Sequence, residues 1–183
     1  MATTSTALMT WEEFEQLPDG DGFHRELIEG ELQLLPPVKS GHSKVARRTY
    51  KALLRLEDSG LGQAYLEAGY KLAEDPATWI QSDASFLRIH RVLETDDSDY
   101  FLGPPDLAVE VVSASETSPK LQRKIELLLE HGCQAVLVLY PKTRKVRIHF
   151  PDGTSTVRGV KDKLDAPYLL PGWEFPVRKL FED

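Results

Sequence analysis

Apolar and polar positions along the chain change period several times, and each change predicts an element. Thr10 and Glu13 frame TWEE as a capping box, which predicts a short helix running to about Leu17. Pro18 and the run Asp19-Gly20-Asp21-Gly22 end it. HRELI and ELQLL flank Glu29-Gly30, a two-residue loop suited to a hairpin because Gly30 can take positive φ. Pro36-Pro37 stops the second strand. From Ser43 to about Asp58, Val45, Thr49, Ala52, Leu53 and Leu56 recur at helical spacing, while Lys44, Arg47, Arg48, Lys51 and Arg55 recur on another face. GQAYLEAGYKL and WIQSDASFLRI predict two strands joined near Asp75-Pro76, and an acidic loop, ETDDSDY, leads to a third, PDLAVEVVS. Ser118 and Pro119 open a helix, PKLQRKIELLLEH, that Gly132 ends, and the apolar run QAVLVLY predicts a buried strand. KVRIHF and TSTVRG pair across Pro151-Asp152-Gly153, and the tail carries Pro167, Pro171-Gly172 and FPVRKLF. The order αβββαβ in the middle predicts an α/β (α+β) fold with a mixed sheet and helices on its faces.

Length and charge narrow the function. With 183 residues and no internal repeat or linker, one domain over residues 9–183 is expected, after a disordered stretch at 1–8. The longest apolar runs fall well short of the roughly 20 residues that cross a bilayer, so no membrane partner is expected. MATTSTAL lacks the basic and apolar regions of a signal peptide, and Cys133 is the single cysteine, so a reducing cytoplasm is the expected location. The net charge of −7 argues against nonspecific coating of nucleic acid. Yet no acid occurs between Glu31 and Glu57, which leaves the stripe Lys44, Arg47, Arg48, Lys51 and Arg55 locally uncompensated. The stripe is either a solvated helix face or a set of phosphate contacts lining a substrate groove.

Candidate chemistry lies where polar residues interrupt apolar elements. Glu110 stands in the centre of LAVEVVS, a strand apolar on both faces, where a carboxylate needs a cation, a metal or access to solvent. On the following helix Lys124 falls inside the stripe of Leu121, Ile125, Leu128 and Leu129 and points toward the sheet. The helix runs back beside the strand. Lys124 then lies roughly 8–9 Å into the helix and Glu110 roughly 10 Å before the strand end, so their levels match. Either the two meet or the lysine snorkels to solvent. Asp83 interrupts the preceding strand, and if the two strands pair it converges on Glu110. Two adjacent carboxylates suit Mg²⁺ or Mn²⁺, and two acids, a lysine and such an ion suit phosphodiester hydrolysis. Asp106 shares the face of Glu110 but lies roughly 13 Å away, and reads as a residue leading into the strand.

The stretches TWEEFEQLPDGDGFHRELIEGEL, PPDLAVEVVSASE, KLQRKIELLLEHG and LPGWEFPVRKLF together resemble the Uma family of restriction-endonuclease-like proteins, within the PD-(D/E)XK nuclease superfamily. The resemblance implies a restriction-endonuclease-like core with an N-terminal helix and hairpin and a C-terminal hairpin. It implies Asp83 as the first acid and Glu110 as the second, with the carbonyl of Val111 also facing the metal. The superfamily lysine ordinarily follows two residues after the second acid; that place holds Val112, and the family pattern moves the lysine to Lys124. Glu26 matches a further acid of the site. Ser82, Leu128 and Tyr140 depart from the pattern, standing where the family has a proline, a tyrosine and an acid. The expected catalytic set is therefore Glu26, Asp83, Glu110 and Lys124, with nucleic acid, DNA foremost, as partner and a homodimer as a further association.

Other signals carry less. His24, His42, His90, His131 and His149 lack metal-ligand spacing, though His42, beside the basic helix, can reach phosphate. Cys133 reads as a small core residue, and Asp96, Asp97 and Asp99 as a solvated loop. The competing reading is a noncatalytic nucleic-acid-binding or interaction protein that keeps the nuclease fold.

Overall fold

The computed structural model describes residues 8–18, 24–96, 100–113, 118–165 and 173–182. The expectations for residues 1–7, Asp19–Gly22, Asp97, Asp99, Pro167 and Pro171-Gly172 lie outside the described residues. The first helix, α1 (Trp11–Glu15), opens on the expected capping box: Glu13 N–H donates to Thr10 Oγ1, and Thr10 N–H to the Glu13 carboxylate. Strands β1 (His24–Ile28) and β2 (Glu31–Leu35) form the hairpin, with Glu29 at φ 52° and Gly30 at φ 81° supplying the two left-handed residues that a tight turn requires. Helix α2 (Ser40–Glu57) begins three residues earlier than its apolar periodicity predicts, immediately after the segment opened by Pro36-Pro37.

A long hairpin follows, β3 (Gly62–Glu74) and β4 (Ala77–Arg88), then α3 (Ile89–Glu94), which periodicity did not reveal, and β5 (Phe101–Leu102). Strand β6 (Leu107–Val111) leads through α4 (Ser118–Glu130) to β7 (Ala135–Tyr140), which pairs with β6 in parallel. Strands β8 (Lys145–His149) and β9 (Ser155–Arg158) make the second expected hairpin. The tail adds β10 (Lys163–Asp165), β11 (Glu174–Pro176) and α5 (Arg178–Phe181). The main sheet runs β2-β1-β4-β6-β7-β8-β9, with β3 on the other edge of β4 and β5 beside β3.

Two cores sandwich this sheet. On one side α2, β11 and α5 cover Leu107, Val109 and Val111 of β6; on the other, α4 covers Ala108. Alternation therefore turns Glu110 toward α4. Leu121, Ile125 and Leu128 bury the inner stripe of α4, and Arg123 pins the helix to the hairpin turn through Glu29, at 2.6 and 2.9 Å. Cys133, just past α4, is fully buried and donates its Sγ–H toward the Ala135 carbonyl at 3.2 Å.

Leu128 is fully buried and fixes the depth at which Lys124 enters. Leu128→Ala is expected to lower unfolding free energy by about 2–5 kcal/mol in urea titration with an unchanged m-value, and Leu129→Ala, at a partly buried position, by less.

Candidate active site

The site arises from a fork in the sheet. One edge of β4 pairs with β3 along nearly its whole length, while its other edge meets β6 at Ala84–Phe86 and β1 at Trp79. Between these two contacts, side chains complete the hydrogen bonding of the edge. Gln81 donates its N–H to Glu26 Oε1 at 3.1 Å, and its carbonyl accepts from Lys124 Nζ at 2.9 Å. Asp83 Oδ2 accepts the Val111 N–H at 2.7 Å, and Oδ1 lies 2.9 Å from His42 Nε2.

A backbone irregularity sits opposite. Glu67 of β3 takes a left-handed φ of 54°, the β3–β4 ladder skips it, and its carbonyl accepts from Gln81 Nε2 at 2.7 Å. Ile80 packs in the α4 core, whereas Ala84 and Phe86 pack in the α2 core. A regular strand would keep all three on one face, so β4 twists between Ile80 and Ala84.

Lys124 occupies the throat of the fork. Its ammonium reaches Glu110 Oε2 at 2.7 Å, Glu26 Oε1 at 2.8 Å and the Gln81 carbonyl, which engages all three of its donors. Lys124, Glu110 and Glu26 are all buried. Burial alone pulls the ammonium pKa down, but Glu110, Glu26 and Asp83 outweigh it and hold Lys124 charged. Burial pushes the Glu110 carboxyl well above the usual range; Asp83 and Glu26 push the same way, and Lys124 opposes them. Three carboxylates thus surround one lysine, and Glu110 Oε1 is buried with no hydrogen-bond partner among the described residues.

These features bear on whether a cation fits. An orphaned carboxylate oxygen beside excess negative charge is a donor without an acceptor, and oxygen donors suit a hard divalent ion. Val111 presents its carbonyl to the same edge as the N–H that Asp83 accepts, because both groups of a strand residue project together. Among the described residues no three His, Cys, Asp or Glu side chains group as a metal site. A Mg²⁺ site with one or two carboxylates, water and substrate oxygens needs no third. The residues fit such an ion.

Glu26, Asp83, Glu110 and Lys124 line one cavity of about 190 Å³, together with Val111, His24, His42 and Lys120. His42 was reachable from sequence, since it lies three, four and seven residues before Val45, Ala46 and Thr49 and so shares the apolar stripe of α2. Gln81 contributes through its backbone, for which no sequence signal exists. Lys44, Arg47, Arg48, Lys51 and Arg55, expected to line the substrate groove, do not line this cavity. At roughly 100° per residue they sit about half a turn around α2 from His42. Asp106 lies at the far end of β6, accepts the Arg88 N–H at 2.9 Å and faces the guanidinium groups of Arg88 and Arg91, as suits a residue leading into the strand.

The Uma2 family model, described as "Putative restriction endonuclease", matches residues 11–178. The chain belongs to the Uma2 family. No curated protein matches it. The crystal structure of a "putative nuclease belonging to DUF820" from Anabaena variabilis ATCC 29413 is similar at 21% identity and a TM-score of 0.83, covering 94% of this chain and 97% of that one. The restriction-endonuclease-like fold is thereby shown for this Uma2 chain. No helix among the described residues is long and apolar enough to cross a membrane.

Removing the lysine from this Uma2 site leaves buried carboxylates facing one another. Lys124→Ala is expected to cost about 3–5 kcal/mol of stability at pH 7. A glutamate whose folded pKa is raised favours the fold fully below its ordinary value of about 4.3 and loses that contribution as pH rises through the folded value. The deficit of Lys124→Ala should therefore shrink as pH falls toward the ordinary carboxylate range, as read by urea unfolding at a series of pH values.

Proposed function

We propose that this Uma2 protein is a divalent-cation-dependent endonuclease that hydrolyses phosphodiester bonds of nucleic acid, DNA foremost, in the fork cavity. The orphaned oxygen of Glu110, in a cavity whose carboxylates outnumber its two lysines, carries the reading. Asp83 and Glu110, with the Val111 carbonyl, would hold Mg²⁺ or Mn²⁺. Such an ion supplies Lewis acidity toward a phosphate oxygen and toward water.

The chain's own residues do the rest. His42 and the Val111 N–H hold Asp83 from both oxygens, which fixes the direction its carboxylate faces. Glu26 and the Gln81 carbonyl hold the Lys124 ammonium in the cavity wall beside Glu110, whose Oε1 would be the oxygen offered to the ion. That ammonium, charged at neutral pH and largely removed from water, offsets the negative charge that builds as water attacks phosphorus and the P–O bond to the leaving oxygen breaks. Lys120, at the rim, adds a second cation toward the departing strand.

The test pairs metal binding with nicking of supercoiled plasmid. At a hundredfold excess over Kd, Mn²⁺ or Mg²⁺ should raise the wild-type Tm by about 5–10 °C. Asp83→Asn and Glu110→Gln, which remove charge and keep shape, should lose both that rise and the nicking. Lys124→Ala should slow nicking by about 10²–10³-fold with a smaller loss of metal binding. Equal nicking by wild type and Glu110→Gln would assign the cleavage to another source. Tight DNA binding with no nicking under either ion would make the chain a noncatalytic binder with a nuclease fold.

A further inference from the structure

Part of the outer, exposed face of α2 borders a groove. Arg48, Lys51 and Arg55 form one wall of a groove of about 550 Å³, and Arg178 and Lys179 of α5 form the other, with Ala52 and Phe175 at its base. The Arg55 guanidinium lies over the Phe175 ring, 5.6 Å from its centre, within reach of a cation–π contact. Among the described residues Glu182 is the acid lining the groove, and it is engaged by Arg144 at 2.9 Å and lies 3.9 Å from Arg178 Nε. This gathering of like charge occurs in a chain whose net charge is −7. Cations brought together by two segments so distant in sequence repel one another, and the arrangement is relieved by an anion that spans the groove.

We infer that this groove binds a run of backbone phosphates of a nucleic acid, as a grip separate from the cavity where Glu110 and Lys124 lie. The nucleic-acid class of the ligand rests on the function proposed above; the site rests on the groove. Arg48 to Arg55 spans seven residues of helix, roughly 10.5 Å at 1.5 Å per residue. That length matches a rise of about three base steps at 3.4 Å along a duplex axis, whereas a single phosphate would reach only part of it. The planar guanidinium groups of Arg48, Arg55 and Arg178 suit bidentate contact to phosphate oxygens. The groove points away from the cavity by about half a turn of α2, so the nucleotides it holds are not those being cut. It serves either a distal part of a bent substrate or a second segment.

Binding of a fluorescein-labelled 20-base-pair duplex, read by anisotropy over a salt series without divalent ions, tests the site while leaving the cavity's chemistry silent. Lys51, Arg178 and Lys179 are exposed, so Lys51→Ala/Arg178→Ala/Lys179→Ala should keep the fold and the Mn²⁺-induced rise in Tm. It should weaken duplex binding at least tenfold in low salt and flatten the slope of log affinity against log salt by about 2.7. The charge-keeping variant Lys51→Arg/Lys179→Arg should bind as wild type. An unchanged slope in the alanine variant would overturn the inference. So would displacement of the duplex by a few millimolar inorganic phosphate, which would mark a small-anion site. Loss of nicking in Glu110→Gln with duplex binding retained supports both readings. Salt-sensitive binding lost in the alanine variant, beside a wild type that never nicks, would sink the nuclease and leave the groove standing.

Discussion

A lysine ammonium can lie inside a protein only if its charge is matched and each of its donors has an acceptor. The arrangement around Lys124 follows from that requirement. Its acceptors come from β1, β4 and β6, and it arrives from α4, so a single buried charge ties four elements together where the sheet forks. The same carboxylates that satisfy it are too many for it. In the function proposed here that excess would receive a further cation, so the demand that stabilises the fold and the demand that would create the site have one origin.

This coupling explains which parts of the site were legible in the sequence. Glu110 and Lys124 each stand in apolar company, and their meeting follows from the strand–helix–strand path alone. Asp83 became informative only with the pairing of β4 and β6, which sets Ala84 against Val109. His42 carried a signal in its helical spacing, but a histidine on a buried stripe says nothing of its partner until α2 is laid over β4. Gln81 was invisible, because its contribution is two backbone groups that a strand neighbour would ordinarily take. The basic stripe of α2 was plain from charge, yet which way it faced depended on tertiary packing, as did its completion by Arg178 and Lys179 from the far end of the chain. The small helix α3 and the pair β10 and β11 are too short for hydrophobic period to mark.

Fold likeness and site chemistry carry different weight. A TM-score of 0.83 at 21% identity fixes the architecture. The chemistry has to be argued from this chain's own side chains, since one fold can host several functions. Ser82 illustrates the difference. By the family resemblance it replaces a proline, and its hydroxyl is fully buried with no hydrogen-bond partner among the described residues, one residue from Asp83. The serine keeps its place in the β3–β4 ladder while setting a polar group beside Asp83.

Cys133 gives the molecule an internal clock. Burial pushes its thiol pKa up to about 12, and its sulfur is enclosed behind the start of β7. In the closed protein, thiolate at neutral pH is negligible and no reagent reaches it. Alkylation can proceed only when the junction of α4 with β7 opens, so its rate follows the population of that open form. A single native thiol thus reports how often the C-terminal end of the helix that carries Lys124 leaves the sheet, with no label introduced.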